Sequence, residues 1–160
     1  MTWEEVCADS CLQDLPYKIE LNQWGNIEMS PASRYHAEFQ GLIIQLLLTL
    51  KPEGVAIPEC PIDTAENTKA ADVAWISHAR RKAIPYAVSY TSAPEICVEI
   101  VSPSNTLKEQ MHKGTLYLRA GATEFWLCDE RGNVRFFDAD GEKDTSLLCP
   151  RFPTRIEVYD

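Results

Sequence analysis

A run of seven residues, Glu95-Ile-Cys-Val-Glu-Ile-Val101, sets the strongest limit on how this chain can fold. The run is mostly apolar and rich in β-branched side chains, which is typical of a strand buried on both faces in the middle of a sheet. A sheet with such a strand needs helices to cover it. One charged residue, Glu99, interrupts the run and requires its own explanation.

Helical patterns occur on both sides of this strand. A helix is predicted after Ser33 and ends at Leu50, because its apolar residues recur at the spacing of a buried stripe. A second amphipathic helix is predicted after Asn105 and ends at Ala120-Gly121. The first stripe comprises Phe39, Leu42, Ile43, Leu46, Leu47 and Leu50, and the second comprises Leu107, Met111, Thr115 and Leu118.

Extended and irregular segments complete the pattern. Thr2 and Glu5 form a capping-box pattern that predicts a short helix over residues 2–13. Polar residues predict a loop over 63–69, and residues 77–94, which lack a clear period, are expected to cross the surface. Strands are predicted at 17–21, 27–29, 55–57, 72–76, 124–128, 134–138 and 155–159. This order predicts an α/β fold with a central mixed β-sheet flanked by helices.

Length and composition limit the class of protein. With 160 residues, 45% of them hydrophobic, the chain is expected to form one domain, with residues 1–16 as a helical extension and 17–160 as the core. No stretch reaches about 18 consecutive apolar residues, so no membrane span is expected. The acidic N-terminus lacks the basic and apolar regions of a secretory signal. We therefore expect a cytoplasmic protein whose six scattered cysteines are reduced.

The charge balance bears on nucleic-acid binding. Fifteen basic and twenty-four acidic residues give a net charge of −9, which counts against a broad DNA-binding surface. An acidic cleft that holds a metal ion would fit this charge, with two local basic clusters, at 78–82 and 108–119, available for docking. If the ligand is DNA, the expected affinity is low.

Glu99 is the informative anomaly, because an unpaired buried carboxylate costs several kcal/mol unless a proton, a cation or a metal ion offsets it. A structural salt bridge would meet this need as well as a metal would. Asp72 favours the metal, because it opens another predicted apolar strand, Asp72-Val-Ala-Trp-Ile76. Two carboxylates on adjacent strand ends form a hard oxygen site suited to Mg²⁺ or Mn²⁺.

A cation near this pair is expected from Lys113, in the first half of the helix that follows the Glu99 strand. A metal ion held by carboxylates can polarise a phosphoryl oxygen and activate water, and an ammonium group can stabilise the negative charge that develops. The alternative for Lys113 is a solvated helix lysine. His112, its neighbour, points in a different helical direction.

Four stretches along residues 20–126 are more specific together than any one of them. They are Gly25-Asn-Ile-Glu28-Met-Ser-Pro-Ala-Ser33 followed by His36, Ala71-Asp-Val-Ala-Trp75, Pro94-Glu-Ile-Cys-Val-Glu99-Ile-Val-Ser-Pro-Ser104, and Lys113-Gly-Thr-Leu-Tyr117-Leu-Arg-Ala-Gly121-Ala-Thr-Glu124-Phe-Trp126. In sequence and order they resemble the Uma family of bacterial restriction endonucleases, a branch of the PD-(D/E)XK nuclease superfamily.

The resemblance implies a restriction-endonuclease-like core, with Asp72 as the motif aspartate and Glu99 as the motif acid. Val101 stands where the superfamily motif has its lysine, and the Uma branch implies that Lys113 takes that role. His36 matches the family histidine, which could touch a phosphate or orient a carboxylate. A histidine satisfied by a backbone group near the helix cap is the alternative.

The resemblance also favours Glu20 as a further metal ligand, whereas helical spacing keeps Glu38 as an alternative and Glu28 is a third candidate. The backbone carbonyl of Ile100 is expected to complete the site. We therefore expect hydrolysis of DNA phosphodiester bonds with Mg²⁺ (or Mn²⁺), and the loop residues Arg80, Arg81 and Lys82 are candidates for gripping the DNA backbone.

Two alternatives remain at this stage. A catalytically inactive domain that binds or assembles with a partner would also fit the acidic charge and the displaced lysine. An enzyme acting on a small phosphorylated metabolite is less favoured, because the chain has no G-x-x-x-x-G-K-[ST] phosphate loop. The resemblance further implies a homodimer, because superfamily enzymes that cut both strands often pair their sites.

Overall fold

A computed structural model describes residues 1–158 and shows an α/β fold. The helices are α1 (Trp3–Ala8), α2 (Arg34–Leu50), α3 (His78–Ala83) and α4 (Leu107–Arg119). The strands are β1 (Tyr17–Leu21), β2 (Ile27–Pro31), β3 (Gly54–Thr64), β4 (Asn67–Ser77), β5 (Ile96–Ile100), β6 (Glu124–Cys128), β7 (Val134–Asp138) and β8 (Gly141–Lys143). Within residues 1–158, no helix has the length and apolar character needed to cross a bilayer.

The predicted central mixed sheet is confirmed. It has six strands in the order β3-β4-β5-β6-β7-β8, and β1 and β2 form a separate antiparallel pair. Strands β5 and β6 run parallel and are joined through α4, whereas the other neighbours in the sheet are antiparallel. The parallel step needs a crossover long enough to contain a helix, which α4 supplies.

Strand β5 is buried on both faces, as its apolar sequence predicts. Ile96, Val98 and Ile100 belong to the hydrophobic cluster that includes Phe39, Ile43 and Leu47 of α2. Cys97 belongs to the opposite cluster, together with Tyr117 of α4. Because side chains alternate along a strand, Glu99 faces the α4 side of the sheet.

The N-terminal helix is shorter than predicted. Its capping box is present, because the Thr2 hydroxyl accepts from the Glu5 amide and the Glu5 carboxylate accepts from the Thr2 amide. The helix stops at Ala8, since Asp9 has extended backbone and its side chain accepts from the Cys11 amide. That bond starts a separate 3₁₀ turn, and the predicted range 2–13 is therefore divided in two.

The predicted loop over residues 63–69 is wrong. Strands β3 and β4 continue through it as one long hairpin with 11 residues in each strand. Its polar residues find partners, since the Thr68 hydroxyl donates to Asp63 at 3.0 Å and the Lys69 ammonium donates to the Leu21 carbonyl at 2.8 Å. One consequence is that Asp72 lies within β4 and does not open it.

The segment after β4 covers the outer edge of this hairpin. It forms α3 and then runs beside β3, where the Asp63 amide donates to the Tyr90 carbonyl at 2.9 Å and the Tyr90 amide donates to Pro61 at 2.8 Å. Tyr86, at the middle of this excursion, is fully exposed. The segment therefore crosses the surface as expected, but it also pairs with the edge of β3, which the sequence pattern did not indicate.

Helix α4 is present as predicted, but its inward face is different. Leu107 is 53% exposed, whereas Gln110, Gly114, Leu116 and Tyr117 are buried. Gly114 explains the close packing, because a Cβ at this position would lie 2.2 Å from the Phe125 ring. Helix and sheet can approach closely only because this residue lacks a side chain.

The C-terminal strand predicted at 155–159 is reduced to a single bridge between Arg155 and Asn133, and Tyr159 lies outside the described residues. The short β8 was not predicted. All six cysteines are free, and four of them, Cys60, Cys97, Cys128 and Cys149, are buried as expected for reduced thiols.

Candidate active site

The structure brings Asp72 and Glu99 to the same place on adjacent strands. The antiparallel register of β4 and β5 pairs Val73 with Val98, and one further step sets Asp72 opposite Glu99. Directly opposed residues of an antiparallel pair project to the same face. Both carboxylates are buried, with 1% and 0% of the residue exposed. The Asp72 Oδ2 atom accepts from the Ile100 amide at 2.7 Å, which fixes this carboxylate.

Helix α4 contributes two polar groups to Glu99. The Lys113 ammonium lies 2.8 Å from Glu99 Oε1 and 2.7 Å from Glu20 Oε1. The Tyr117 hydroxyl donates to the same Glu99 Oε1 at 2.6 Å. Lys113 and Tyr117 are four residues apart and therefore lie on one face of the helix. The structure thus places Lys113 beside Glu99, and Tyr117 is a partner that sequence reasoning missed.

A second lysine, Lys18 on β1, occupies the space between the carboxylates. Its Nζ lies 2.7 Å from Asp72 Oδ1, 3.5 Å from Glu99 Oε2 and 3.9 Å from Glu20 Oε1. Sequence reasoning missed this residue. A signal was available, because Lys18 and Glu20 are two residues apart on a predicted strand and must share a face.

The β1–β2 hairpin is held against β4 by contacts at Glu20 and at the next residue, Leu21. The Ala70 amide donates to Glu20 Oε1 at 2.9 Å, and the Lys69 ammonium binds the Leu21 carbonyl. Of the three candidate acids, Glu20 therefore joins the cluster. Glu28 is exposed on β2, and Glu38 pairs with Arg34 at 2.8 Å on the surface of α2.

The first turns of α2 supply two more residues that contact this site. His36 Nε2 lies 2.9 Å from Asp72 Oδ1, and its role in orienting this carboxylate stays a prediction. Gln40, one helical turn later, donates to the Asp72 backbone carbonyl at 2.7 Å and to Glu59 Oε1 at 2.9 Å. Ser33 caps the helix and sets its starting point, because its hydroxyl accepts from the His36 amide.

Glu59 is a further acidic residue at this site that sequence reasoning missed. It follows Pro58 on β3 and has a positive φ of 48°, and the register that pairs Pro58 with Val73 and Cys60 with Ala71 places it opposite Asp72. His36, Glu59 and Asp72 each offer one ligand atom within 4.8 Å of the others. This set is a second possible arrangement for a metal ion.

The electrostatics distinguish the two central carboxyl groups. Burial raises the pKa of Asp72. Lys18 and His36 outweigh burial and hold the Asp72 pKa well below its usual range. Burial and the charge of Asp72 raise the pKa of Glu99 to about 7, although Lys113 and Lys18 oppose the shift. Burial lowers the pKa of Lys18. The negative charges of Glu99 and Asp72 outweigh burial and raise the Lys18 pKa well above its usual value.

One observation tests whether these residues fit a divalent cation. Glu99 Oε2 is buried and has no hydrogen-bond partner among residues 1–158. Such an atom is costly unless a further cation or proton satisfies it. Asp72, Glu99 and Glu20 provide the oxygen ligands that Mg²⁺ and Mn²⁺ prefer. The chemistry of these donors therefore fits such an ion, whereas the group of three ligand atoms within 4.8 Å of one another among residues 1–158 is His36, Glu59 and Asp72. The Ile100 carbonyl stays a predicted ligand.

The cluster opens into a groove of about 570 Å³. Its lining includes Tyr17, Lys18, Glu20, His36, Glu59, Asp72 and Lys113. Among residues 1–158, the lining does not include Arg80, Arg81 or Lys82. Arg80 instead donates to the carbonyls of Ala93 at 3.0 Å and Gly121 at 3.1 Å, and so it joins two loops.

Comparisons with known proteins agree with this fold. A putative nuclease belonging to DUF820 from Anabaena variabilis ATCC 29413 has a similar structure, with a TM-score of 0.67 and 18% identity, over 86% of this chain and 79% of that one. No curated protein matched. The sequence profile of the Uma2 family, described as "Putative restriction endonuclease", matches residues 3–152. The chain therefore belongs to the Uma2 family.

Proposed function

We propose that this protein is a metal-dependent nuclease that hydrolyses phosphodiester bonds in DNA. The observation that carries the proposal is the meeting of Asp72 and Glu99 on one face of the sheet, with Glu99 Oε2 buried and without a hydrogen-bond partner among residues 1–158. Lys113 lies beside the pair, as the family motif implies. The family description and the nuclease named as a structural relative support the same activity.

Asp72 and Glu99 would hold Mg²⁺ (or Mn²⁺), with Glu20 and the Ile100 carbonyl as further ligands. When bound, the ion supplies Lewis-acid polarisation of a phosphoryl oxygen and lowers the pKa of a bound water. The chain keeps the ligands in place through separate partners. The Ile100 amide fixes Asp72 Oδ2, and the Tyr117 hydroxyl fixes Glu99 Oε1. Partners of this kind orient ligands and affect metal affinity strongly.

The basic groups of the site serve the substrate. Lys113 lies at the groove, where its ammonium would neutralise negative charge that develops on the phosphate. His36 Nε2 lies 2.9 Å from Asp72 Oδ1, and a proton on this nitrogen would keep the carboxylate anionic and oriented. The net charge of −9 predicts low affinity for DNA away from the site.

Two structural expectations belong to the same proposal. Residues 17–160 form the nuclease core, and residues 1–16 are an extension to it. The active form is a homodimer, because cleavage of both strands of a duplex is readily achieved by two sites related by a two-fold axis. Sedimentation of the purified protein measures this directly, and a monomer that still cuts both strands would contradict it.

Substitution of Asp72 tests the activity. Asp72→Asn keeps the size of the side chain and an acceptor for the Ile100 amide but removes the charge. We expect cleavage of plasmid DNA with Mg²⁺ or Mn²⁺ to fall about a hundredfold or more, with an unchanged circular dichroism spectrum. Glu38→Gln is the matched control, because Glu38 pairs on the surface with Arg34. Equal cleavage by parent and Asp72→Asn would contradict the mechanism.

A second candidate is a catalytically inactive domain that binds or assembles with a partner. One observation favours it, since the Lys18 ammonium already compensates Asp72 at 2.7 Å without a metal ion. Calorimetric titration with Mn²⁺ separates the two functions. A nuclease is expected to bind in about the micromolar to millimolar range and to lose that binding in Glu99→Gln. Absence of binding in the parent would favour the inactive domain.

A further inference from the structure

We propose that Lys18 is a built-in counter-ion that occupies the position of the divalent cation, so that metal binding requires its ammonium to leave the carboxylates. The inference rests on the proposed metal-dependent function and concerns how the site is loaded. It assigns to Lys18 a role distinct from that of Lys113.

Only some carboxylate oxygens of Asp72 and Glu99 are free to bind a cation. Asp72 Oδ2 is used by the Ile100 amide, and Glu99 Oε1 is used by Tyr117 and Lys113. The oxygens left for a cation are Asp72 Oδ1, which His36 also touches, and Glu99 Oε2. Lys18 Nζ lies 2.7 Å from the first and 3.5 Å from the second. The ammonium is therefore placed at the two atoms that a shared ion would need.

The two lysines differ in the atoms that they contact. Lys113 binds the Oε1 atoms of Glu99 and Glu20 at 2.8 and 2.7 Å, on the α4 side of the cluster. Its contacts leave Asp72 Oδ1 and Glu99 Oε2 available. Lys113 can remain in place when an ion is bound, whereas Lys18 would stand within a few ångströms of that ion, where two positive charges repel strongly.

Formal charges point the same way. With Asp72, Glu99 and Glu20 ionised, these three carboxylates and the Lys113 ammonium together carry a net charge of −2. A divalent cation balances this charge, whereas Lys18 in the same position leaves −1. If Lys18 stayed when the ion bound, the net charge would be +1. For these groups, which do not include His36 and Glu59, the exchange of one ammonium for one divalent ion gives the smallest net charge.

The position of Lys18 also allows it to leave. It lies on β1, in the hairpin outside the six-stranded sheet, and its side chain lines the open groove. The lysine stem is flexible, and its ammonium is readily hydrated. In the metal-free protein Lys18 therefore stabilises the fold by compensating buried acids, and the same contact weakens metal binding.

Manganese affinity tests the inference. Free Mn²⁺ is measured by electron paramagnetic resonance in titrations of the full chain and of Lys18→Met. Removal of a competing charged hydrogen bond is expected to tighten Mn²⁺ binding by about tenfold or more. Lys143→Met is the control for net charge, because Lys143 lies on β8 beside Asp138. The control is expected to bind as the parent does.

Two further variants keep the test decisive if Lys18→Met folds poorly. Lys18→Gln is neutral and polar and is expected to tighten Mn²⁺ binding, whereas Lys18→Arg keeps the charge and is expected not to. Unchanged or weaker binding by the folded neutral variants would overturn the role of Lys18 while leaving the metal site intact. Absence of Mn²⁺ binding in the parent and in every variant would overturn the metal site, and this inference with it.

Discussion

At the scale of single residues, Glu99 is the centre of the account. It is fully buried in a strand whose other side chains are apolar, and its two oxygens have different surroundings. Oε1 receives two donors, whereas Oε2 has no hydrogen-bond partner among residues 1–158. A carboxylate kept in this environment has to be matched by a cation or a proton, and this requirement links the fold to the proposed chemistry.

The pH dependence of the free energy of unfolding shows whether Glu99 binds a proton in the folded protein. Burial and the charge of Asp72 raise the pKa of Glu99 from its usual 4.5 to about 7, so the folded protein binds the proton more tightly than the unfolded chain. The free energy of unfolding of the metal-free protein is therefore expected to fall by roughly 1–3 kcal/mol as the pH rises through this window. Glu99→Gln should show a smaller decline. Urea unfolding in EDTA measures both profiles, and parallel profiles would contradict the assignment.

Substitution of Tyr117 tests whether its hydrogen bond to Glu99 contributes to metal binding. Tyr117→Phe removes the hydroxyl that donates at 2.6 Å and leaves the ring in place. Loss of an orienting contact of this kind is expected to weaken Mn²⁺ binding about 10- to 100-fold. Tyr35→Phe is the control, because Tyr35 is 64% exposed on α2. Calorimetry measures both affinities, and equal values for the two variants would show that the hydroxyl does not position Glu99.

Sequence reasoning identified most of the cluster but not all of it. Asp72, Glu99 and Lys113 could be predicted because their strand and helix patterns and the family motifs agree. Lys18 and Glu59 were missed, because their contacts depend on how hairpins pack. A lysine beside a glutamate on a strand resembles an ordinary surface pair until the position of β1 against β4 is known.

At the scale of elements, the long β3–β4 hairpin shows where pattern reasoning fails. Its polar stretch resembles a loop, but its polar side chains find partners in the fold. The Lys69 ammonium, for example, donates to the Leu21 carbonyl on β1, outside the six-stranded sheet. That contact also brings β1 to the site. Helix α4 shows the same limit, because its buried face is set by the close approach of Gly114 to Phe125 rather than by a stripe of large apolar residues.

Gly114 offers a test of how α4 is positioned. A Cβ added there would meet the Phe125 ring at 2.2 Å, so Gly114→Ala must push the helix away from the sheet. The variant is expected to lose about 1–3 kcal/mol of stability and to cut DNA more slowly, since Lys113 moves with the helix. Gly41→Ala is the matched control, because a Cβ there meets nothing within 4 Å.

The control should gain roughly 0.5–1 kcal/mol, because alanine is the better helix former in an exposed helix. Urea unfolding curves of both variants give the two free energies. Equal stability of Gly114→Ala and the parent would mean that α4 tolerates the side chain and that the close approach does not hold Lys113 in place.

At the scale of the whole molecule, acidic charge and a nuclease-family fold occur together. The net charge of −9 predicts that duplex DNA binds only weakly in EDTA, with a dissociation constant above about 1 μM at physiological salt. Divalent ions that neutralise the site are expected to tighten binding. Fluorescence anisotropy with Ca²⁺ in place of Mg²⁺ is designed to measure binding with cleavage suppressed. Tight binding in EDTA would contradict this view of the surface.

The α/β class and the central strand could be predicted from the sequence, because a run buried on both faces admits few other arrangements. The order of strands and the edge pairing of Tyr90 with β3 could not, since long-range pairing leaves no local pattern.

The most direct measurement is an anomalous difference map from a crystal soaked with Mn²⁺. The account predicts one peak between Asp72 Oδ1 and Glu99 Oε2, with the Lys18 ammonium displaced into the groove. A peak among His36, Glu59 and Asp72 without Glu99, or no peak at this cluster, would contradict it.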